Sequence, residues 1–122
     1  MTPIIEKYPD TDALVAAAGD RLVDAITDAI DKRGQAHIVL TGGGTGVGLL
    51  KRAGEHADKI DWSKVHLYWG DDRFVPRDHP LSNVKPFDDV LLGIADAEEG
   101  TAGGRAGVPI PIENIHPFRT GE

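Results

Sequence analysis

The 122-residue chain carries 13 Lys and Arg against 20 Asp and Glu, a formal net charge of −7 with the basic residues scattered; this argues against a nucleic-acid surface and fits a soluble protein. It has no cysteine, which removes disulfides, thiolate catalysis and cysteine-based metal sites, and its five histidines lack H-x-x-x-H spacing. No apolar run is long enough for a membrane span and the amino terminus lacks the basic-then-apolar pattern of a signal peptide, so a cytoplasmic location without nucleic-acid or membrane partners is expected.

In chain order, Asp10 or Thr11 caps a predicted helix whose apolar positions Leu14, Val15, Ala18, Leu22, Ala25, Ile26, Ala29 and Ile30 recur at helical spacing, with Gly34 after its end. This helix is expected to cover one sheet face. Ala36 to Leu40 reads as a short strand that runs into Thr41-Gly42-Gly43-Gly44-Thr45 and then a helix over roughly Val47 to Ala57, carrying Leu49, Leu50 and Ala53. A second strand, Val65 to Trp69, ends in Gly70-Asp71-Asp72-Arg73. A third helix is expected around Asn83 to Leu92, with Ser82 as cap, Pro86 in its first turn or just beyond, and Val90, Leu91 and Leu92 turned inward. Residues 93–107 read as a flexible Gly-rich insertion. Strand-helix alternation implies a parallel α/β sheet with right-handed crossovers.

Both polar clusters therefore sit at the carboxyl ends of strands, where ligands bind in open parallel sheets. Glycine lets the backbone approach a ligand, and the following helix N-terminus offers N–H groups with a partial positive charge, suiting a phosphate or carboxylate. Thr41 and Thr45 add hydroxyl donors. No register of these glycines gives G-x-G-x-x-G, and Leu49 stands where a Walker lysine would follow Gly48, so a dinucleotide or ATP site is not expected. Arg73 is the natural partner of such a turn, since its planar guanidinium can hold a phosphate bidentately while Asp71 or Asp72 fixes its orientation. Consecutive residues on an extended segment point to opposite faces, so the two carboxylates have different jobs. The plainer alternatives are a tight turn without a ligand and an ordinary surface ion pair.

The combination resembles the amino-terminal half of the 6-phosphogluconolactonases, in the wider family that also contains glucosamine-6-phosphate deaminase/isomerase. The likeness runs from Ile4 to Glu122 and is carried by Ile4 to Tyr8, the glycine turn, Trp62 to His66, Trp69 to Pro76, Asp78 to Asn83 and Ile112 to Pro117. It implies a Rossmann-like parallel sheet with helices on both faces, incomplete at this length, with residues 1–122 as the amino-terminal part of a single domain. It also implies hydrolysis of 6-phosphogluconolactone to 6-phosphogluconate in the pentose phosphate pathway, without metal or organic cofactor. By the family pattern Thr41, Gly42, Gly43, Gly44, Thr45 and Arg73 hold the substrate phosphate and Asp71 lines the same site. The deaminase branch reads methionine-aspartate-glutamate-tyrosine at this place, so Trp69, Gly70 and Arg73 favour the lactonase branch.

The chain departs from the family pattern at Gly44, where serine is common, at Gly46, where proline is common, and at Asp72, where glutamate is usual. The family's water-activating histidine stands in a later glycine-x-x-glycine-histidine stretch that has no match here. Structural or surface roles are expected for His37, His56, His66, His79 and His116, and no catalytic residue is expected in this chain. The alternatives are a deaminase/isomerase-like enzyme, which Arg73 counts against, and a non-catalytic sugar-phosphate binding module.

Overall fold

The computed structural model describes residues 2–92 and 108–120, so the insertion expected over 93–107 lies outside the described residues. Three strands, β1 (Ala36–Leu40), β2 (Val65–Trp69) and β3 (Ile115–His116), form one parallel sheet in that order. β1 and β2 run in register from Ala36 opposite Val65 to Leu40 opposite Trp69, and β3 pairs Ile115 with Leu67 and His116 with Tyr68. The sequence reading contains no third strand, because two residues ahead of Pro117 are too short for an alternating pattern to register.

Helix α1 (Thr11–Arg33) begins where the Asp10 carboxylate accepts from the Ala13 N–H at 2.8 Å and ends at Gly34, whose φ of 80° needs a residue without Cβ. Its buried residues are Gly19, Val23, Ile26 and Ala29; Leu14 and Ala25, expected on the inner stripe, are exposed. Helix α2 spans Gly43–Glu55, four residues earlier than expected, because the glycine turn is itself the first turn of the helix; Ala57 falls in a separate 3-10 turn, Ala57–Lys59. The third helical segment starts at Lys85 rather than Asn83. Its first three residues form α3 (Lys85–Phe87), with Pro86 in the first turn, and Asp88–Leu92 continue as a π-helix. Ser82 still acts at this end, its Oγ accepting from the Val84 N–H at 3.1 Å.

All three helical segments share one core with the sheet: Val23, Ile26 and Ala29 of α1, Leu50 and Ala53 of α2, and Phe87 and Leu91 meet Ala36, Leu40, Val65, Leu67 and Trp69. The Trp69 and Phe87 rings meet edge-on with centroids 5.6 Å apart. α1 and α2 approach closely because Gly48 leaves room for Val15 and Gly19 leaves room for the Arg52 stem, whose guanidinium then pairs with Asp20 at 2.9 Å. That bond holds the Asp20 carboxyl below its usual range.

The parallel α/β sheet is as expected, and among the described residues its helices lie on one face. The other face presents Val39 and a row of stacked rings across the three strands: His37 on His66 at 4.8 Å, and His66 on His116 at 5.5 Å. Tyr68 stacks on His116 at 4.7 Å and its hydroxyl meets His37 Nδ1 at 3.0 Å. Partial burial, then the neighbouring His37 and His116, lower the His66 pKa.

Two outcomes follow from this packing. A Cβ on Gly19 would stand 2.3 Å from Arg52 Cγ and 2.6 Å from its Cβ, atoms too near the backbone to swing aside. Alanine gains about 1 kcal/mol of helix propensity but overpacking costs about 1–3 kcal/mol, so Gly19→Ala is expected to lower the urea midpoint; an unchanged or raised midpoint contradicts the close contact. A proton titration by NMR should place His66 below the reference value of 6.5. The unfolded chain then binds more protons than the folded one, so stability falls as pH drops from above 6.5 toward the folded pKa, and His66→Gln should flatten that fall.

Candidate functional site

Parallel pairing ends β1 and β2 together, and the Gly70 N–H extends it by donating to Leu40 C=O at 3.1 Å. Thr41 and Gly70 therefore leave the sheet side by side, which brings the glycine turn and the Asp-Asp-Arg run to one edge. In the turn, Gly42 caps α2 with extended backbone and Gly43 has φ 86°, accessible to glycine at no steric cost. No side chain caps α2 at Gly42, and no acidic residue stands in its first turn. Thr41, Gly43, Gly44 and Thr45 are exposed, so the first-turn N–H groups open to solvent. Gly46 is closed off instead: a Cβ there would lie 2.6 Å from Thr41 O.

The second strand's loop folds back on itself around Asn83, which is 9% exposed. The Trp69 indole donates to Asn83 C=O at 3.0 Å, and the Asn83 N–H donates to Asp72 Oδ1 at 2.7 Å. Asn83 Nδ2 donates to the Asp71 carbonyl and to Asp71 Oδ1, both at 3.2 Å. Asn83 Oδ1 accepts from Arg73 Nη1 at 3.1 Å, and the same Nη1 also donates to Leu81 C=O at 3.1 Å. That Oδ1 lies where a Cβ on Gly42 would approach to 2.4 Å. The glycine turn and Arg73 are thus joined through one carboxamide.

This arrangement sorts the two carboxylates and corrects one expectation. Asp72 is the inward one: Oδ1 accepts from the backbone N–H of Arg73 at 2.8 Å as well as that of Asn83, and Oδ2 is buried without a hydrogen-bond partner among the described residues. Asp71 is exposed, and among the described residues its carboxylate receives the Asn83 amide alone. Neither carboxylate ion-pairs with the Arg73 guanidinium among the described residues; a carbonyl and a carboxamide hold it by one nitrogen, which leaves Nε and Nη2 as donors. The physical reason is reach, since both Asp72 Oδ1 bonds go to main-chain N–H groups that close the loop. Asn83 has no site role in the sequence, where it ends the Asp78 to Asn83 stretch and marks a helix start; the available signal is its ability to donate and accept at once, directly after the candidate cap Ser82.

Further along, Arg77 clasps the buried Asp88 bidentately at 2.8 and 2.6 Å, tying the loop to the π-helix, and this pairing raises the Arg77 pKa. His79 Nδ1 accepts from the Leu81 N–H at 3.0 Å. His56 Nε2 lies 3.4 Å from Asp20 Oδ1 at the α1–α2 contact but lacks hydrogen-bond alignment. His37, His66 and His116 lie in the ring row of the open sheet face. Among the described residues no group of three His, Asp or Glu side chains is placed to hold a metal ion, and no helix is long and apolar enough to cross a membrane.

Comparisons with known proteins agree on one lineage. A family model described as glucosamine-6-phosphate isomerases/6-phosphogluconolactonase matches residues 9–122. The chain is 48% identical over 118 residues to a 6-phosphogluconolactonase of Mycobacterium tuberculosis, covering 97% of this chain and 42% of the relative. It is 38% identical over 122 residues to that of Mycobacterium leprae, covering 100% of this chain and 44% of the relative. Among solved structures, a 6-phosphogluconolactonase of Thermotoga maritima superposes with a TM-score of 0.68 at 24% identity, covering 86% of this chain and 41% of that one; at this identity the likeness shows the fold alone. The chain thus spans less than half the length of these relatives. By the family match and these identities, it belongs to the glucosamine-6-phosphate isomerase/6-phosphogluconolactonase family.

Proposed function

We propose that this chain supplies the phosphate-binding part of a 6-phosphogluconolactonase, which hydrolyses 6-phosphogluconolactone to 6-phosphogluconate. The observation that supports it best is the link from Gly42 through Asn83 to Arg73, which sets the uncapped N-terminus of α2 near a guanidinium whose Nε and Nη2 remain as donors among the described residues. A phosphate there meets backbone N–H groups, the positive end of the helix dipole and a planar cation. On this reading Thr41, Gly42, Gly43, Gly44, Thr45 and Arg73 bind the phosphate and Asp71 lines the site.

Lactone hydrolysis further needs an activated water and stabilisation of the oxyanion that forms at the carbonyl. The general base is assigned to a histidine outside these residues, since His37, His66 and His116 stack on the open sheet face, His56 sits against Asp20, and His79 commits Nδ1 to the Leu81 N–H within its own loop. The reading carries a cytoplasmic location and a small sugar phosphate as the partner; the net charge of −7 supports excluding a polyanion such as nucleic acid. The steps involve neither metal nor organic cofactor.

The test is hydrolysis by the full-length lactonase that this reading describes. Arg73→Ala removes charged hydrogen bonds to the phosphate of about 2–3 kcal/mol, so kcat/KM for 6-phosphogluconolactone is expected to fall roughly 100-fold, mainly through KM. Hydrolysis of unphosphorylated gluconolactone should change little. An equal loss on both lactones, or none on either, overturns the assignment.

A further inference from the structure

We propose that Asn83 is a positioning residue that sets the orientation of Arg73 and couples it to the glycine turn; this rests on the phosphate-binding reading of the site. A guanidinium on a long, exposed side chain samples many directions, and a phosphate that must still it loses affinity. Here one nitrogen is already committed. Nη1 donates to Asn83 Oδ1 and Leu81 C=O, both at 3.1 Å, so the plane of the guanidinium is set before any ligand arrives and the Nε and Nη2 edge is left outward.

The carboxamide itself has no freedom to turn. Its nitrogen is held by the Asp71 carbonyl and carboxylate at 3.2 Å, while the Asn83 main chain is fixed by its N–H donating to Asp72 Oδ1 at 2.7 Å and its backbone carbonyl accepting from the Trp69 indole at 3.0 Å. Trp69 is a buried core residue of β2, so the orientation of Arg73 is tied through Asn83 to the sheet. On its other side Asn83 Oδ1 occupies the space of a Gly42 side chain, so the acceptor that holds Arg73 Nη1 sits against the cap residue of α2. Only a group that donates and accepts on one planar head satisfies both the Asp71 oxygens and the Arg73 nitrogen. A carboxylate of the same shape turns acceptor toward Asp71 and neutralises Arg73 by pairing with it.

The experiment is a double-mutant cycle on binding of 6-phosphogluconate, with gluconate as the phosphate-free control, measured by calorimetry on the protein. Asn83→Asp and Asn83→Ala are each expected to weaken 6-phosphogluconate about tenfold or more and to leave gluconate unchanged. In an Arg73→Ala background the same changes should cost less than about twofold, because the two residues act as one unit. A general disturbance of the fold would instead add to the Arg73→Ala loss and affect both ligands, and that result overturns the proposal. Should Asn83→Ala fail to fold, the wild-type protein still decides: Arg73 should show separate, slowly exchanging Nη1 and Nη2 resonances by NMR before ligand is added, and averaged resonances overturn the proposal. If the wild type binds 6-phosphogluconate no better than gluconate, the phosphate-binding reading fails and Asn83 falls with it. Clear discrimination by the wild type with an additive cycle rejects Asn83 alone.

Discussion

The in-register parallel pairing of β1 with β2 is the constraint from which the rest of this molecule follows. Because Leu40 stands opposite Trp69, both strands end at the same level and both loops emerge at the same edge. A slip of one residue would turn Trp69 out of the core and its indole away from the Asn83 carbonyl. Burial resists such a slip: Val65, Leu67 and Trp69 alternate toward the helices with exposures of 0, 2 and 4%, and a one-residue shift would turn all three to the open face.

Glycine controls distance in this chain as much as backbone angle. Gly19 and Gly48 let α1 and α2 touch, Gly46 lets α2 start against the Thr41 carbonyl, and Gly42 yields its side-chain space to Asn83. Among the described residues, only Gly34 and Gly43 use the positive φ that other residues avoid. The outcome is a helix N-terminus pressed against the strand end, with its first residues exposed and no side-chain cap among the described residues. Gly44 differs from these; a side chain there would meet open space, so the family's serine at that place is sterically allowed and this chain lacks only its hydroxyl.

Polar groups in the site close the loop first and face outward second. Asp72 gives one oxygen to two backbone N–H groups and leaves the other buried and unpaired, a cost of about 1–3 kcal/mol that the loop geometry must offset. Arg77 and Asp88 form a bidentate, half-buried pair that anchors the far end of the same loop to the π-helix. The exposed groups at the edge, Asp71 and the outer side of Arg73, are thereby held on a rigid base. Phe74, 84% exposed beside Arg73, has no structural duty that its surroundings explain.

Local chemistry made much of this legible in the amino-acid sequence. The Asp10 cap, the Gly34 stop, both long strands and the meeting of the glycine turn with Arg73 are all determined by short-range signals: capping residues, alternation, and loops at parallel strand ends. Helix boundaries were less legible, since a glycine-rich first turn reads as loop until packing against Thr41 draws it into α2. What only the tertiary structure decided was partnership across distance. β3 exists because β2 offers it an edge, and Asp72 faces inward because Asn83, eleven residues later, brings it an N–H. Arg73 is oriented by a carboxamide rather than by its neighbouring carboxylates because the fold, not the spacing, chooses which polar groups come within hydrogen-bond reach.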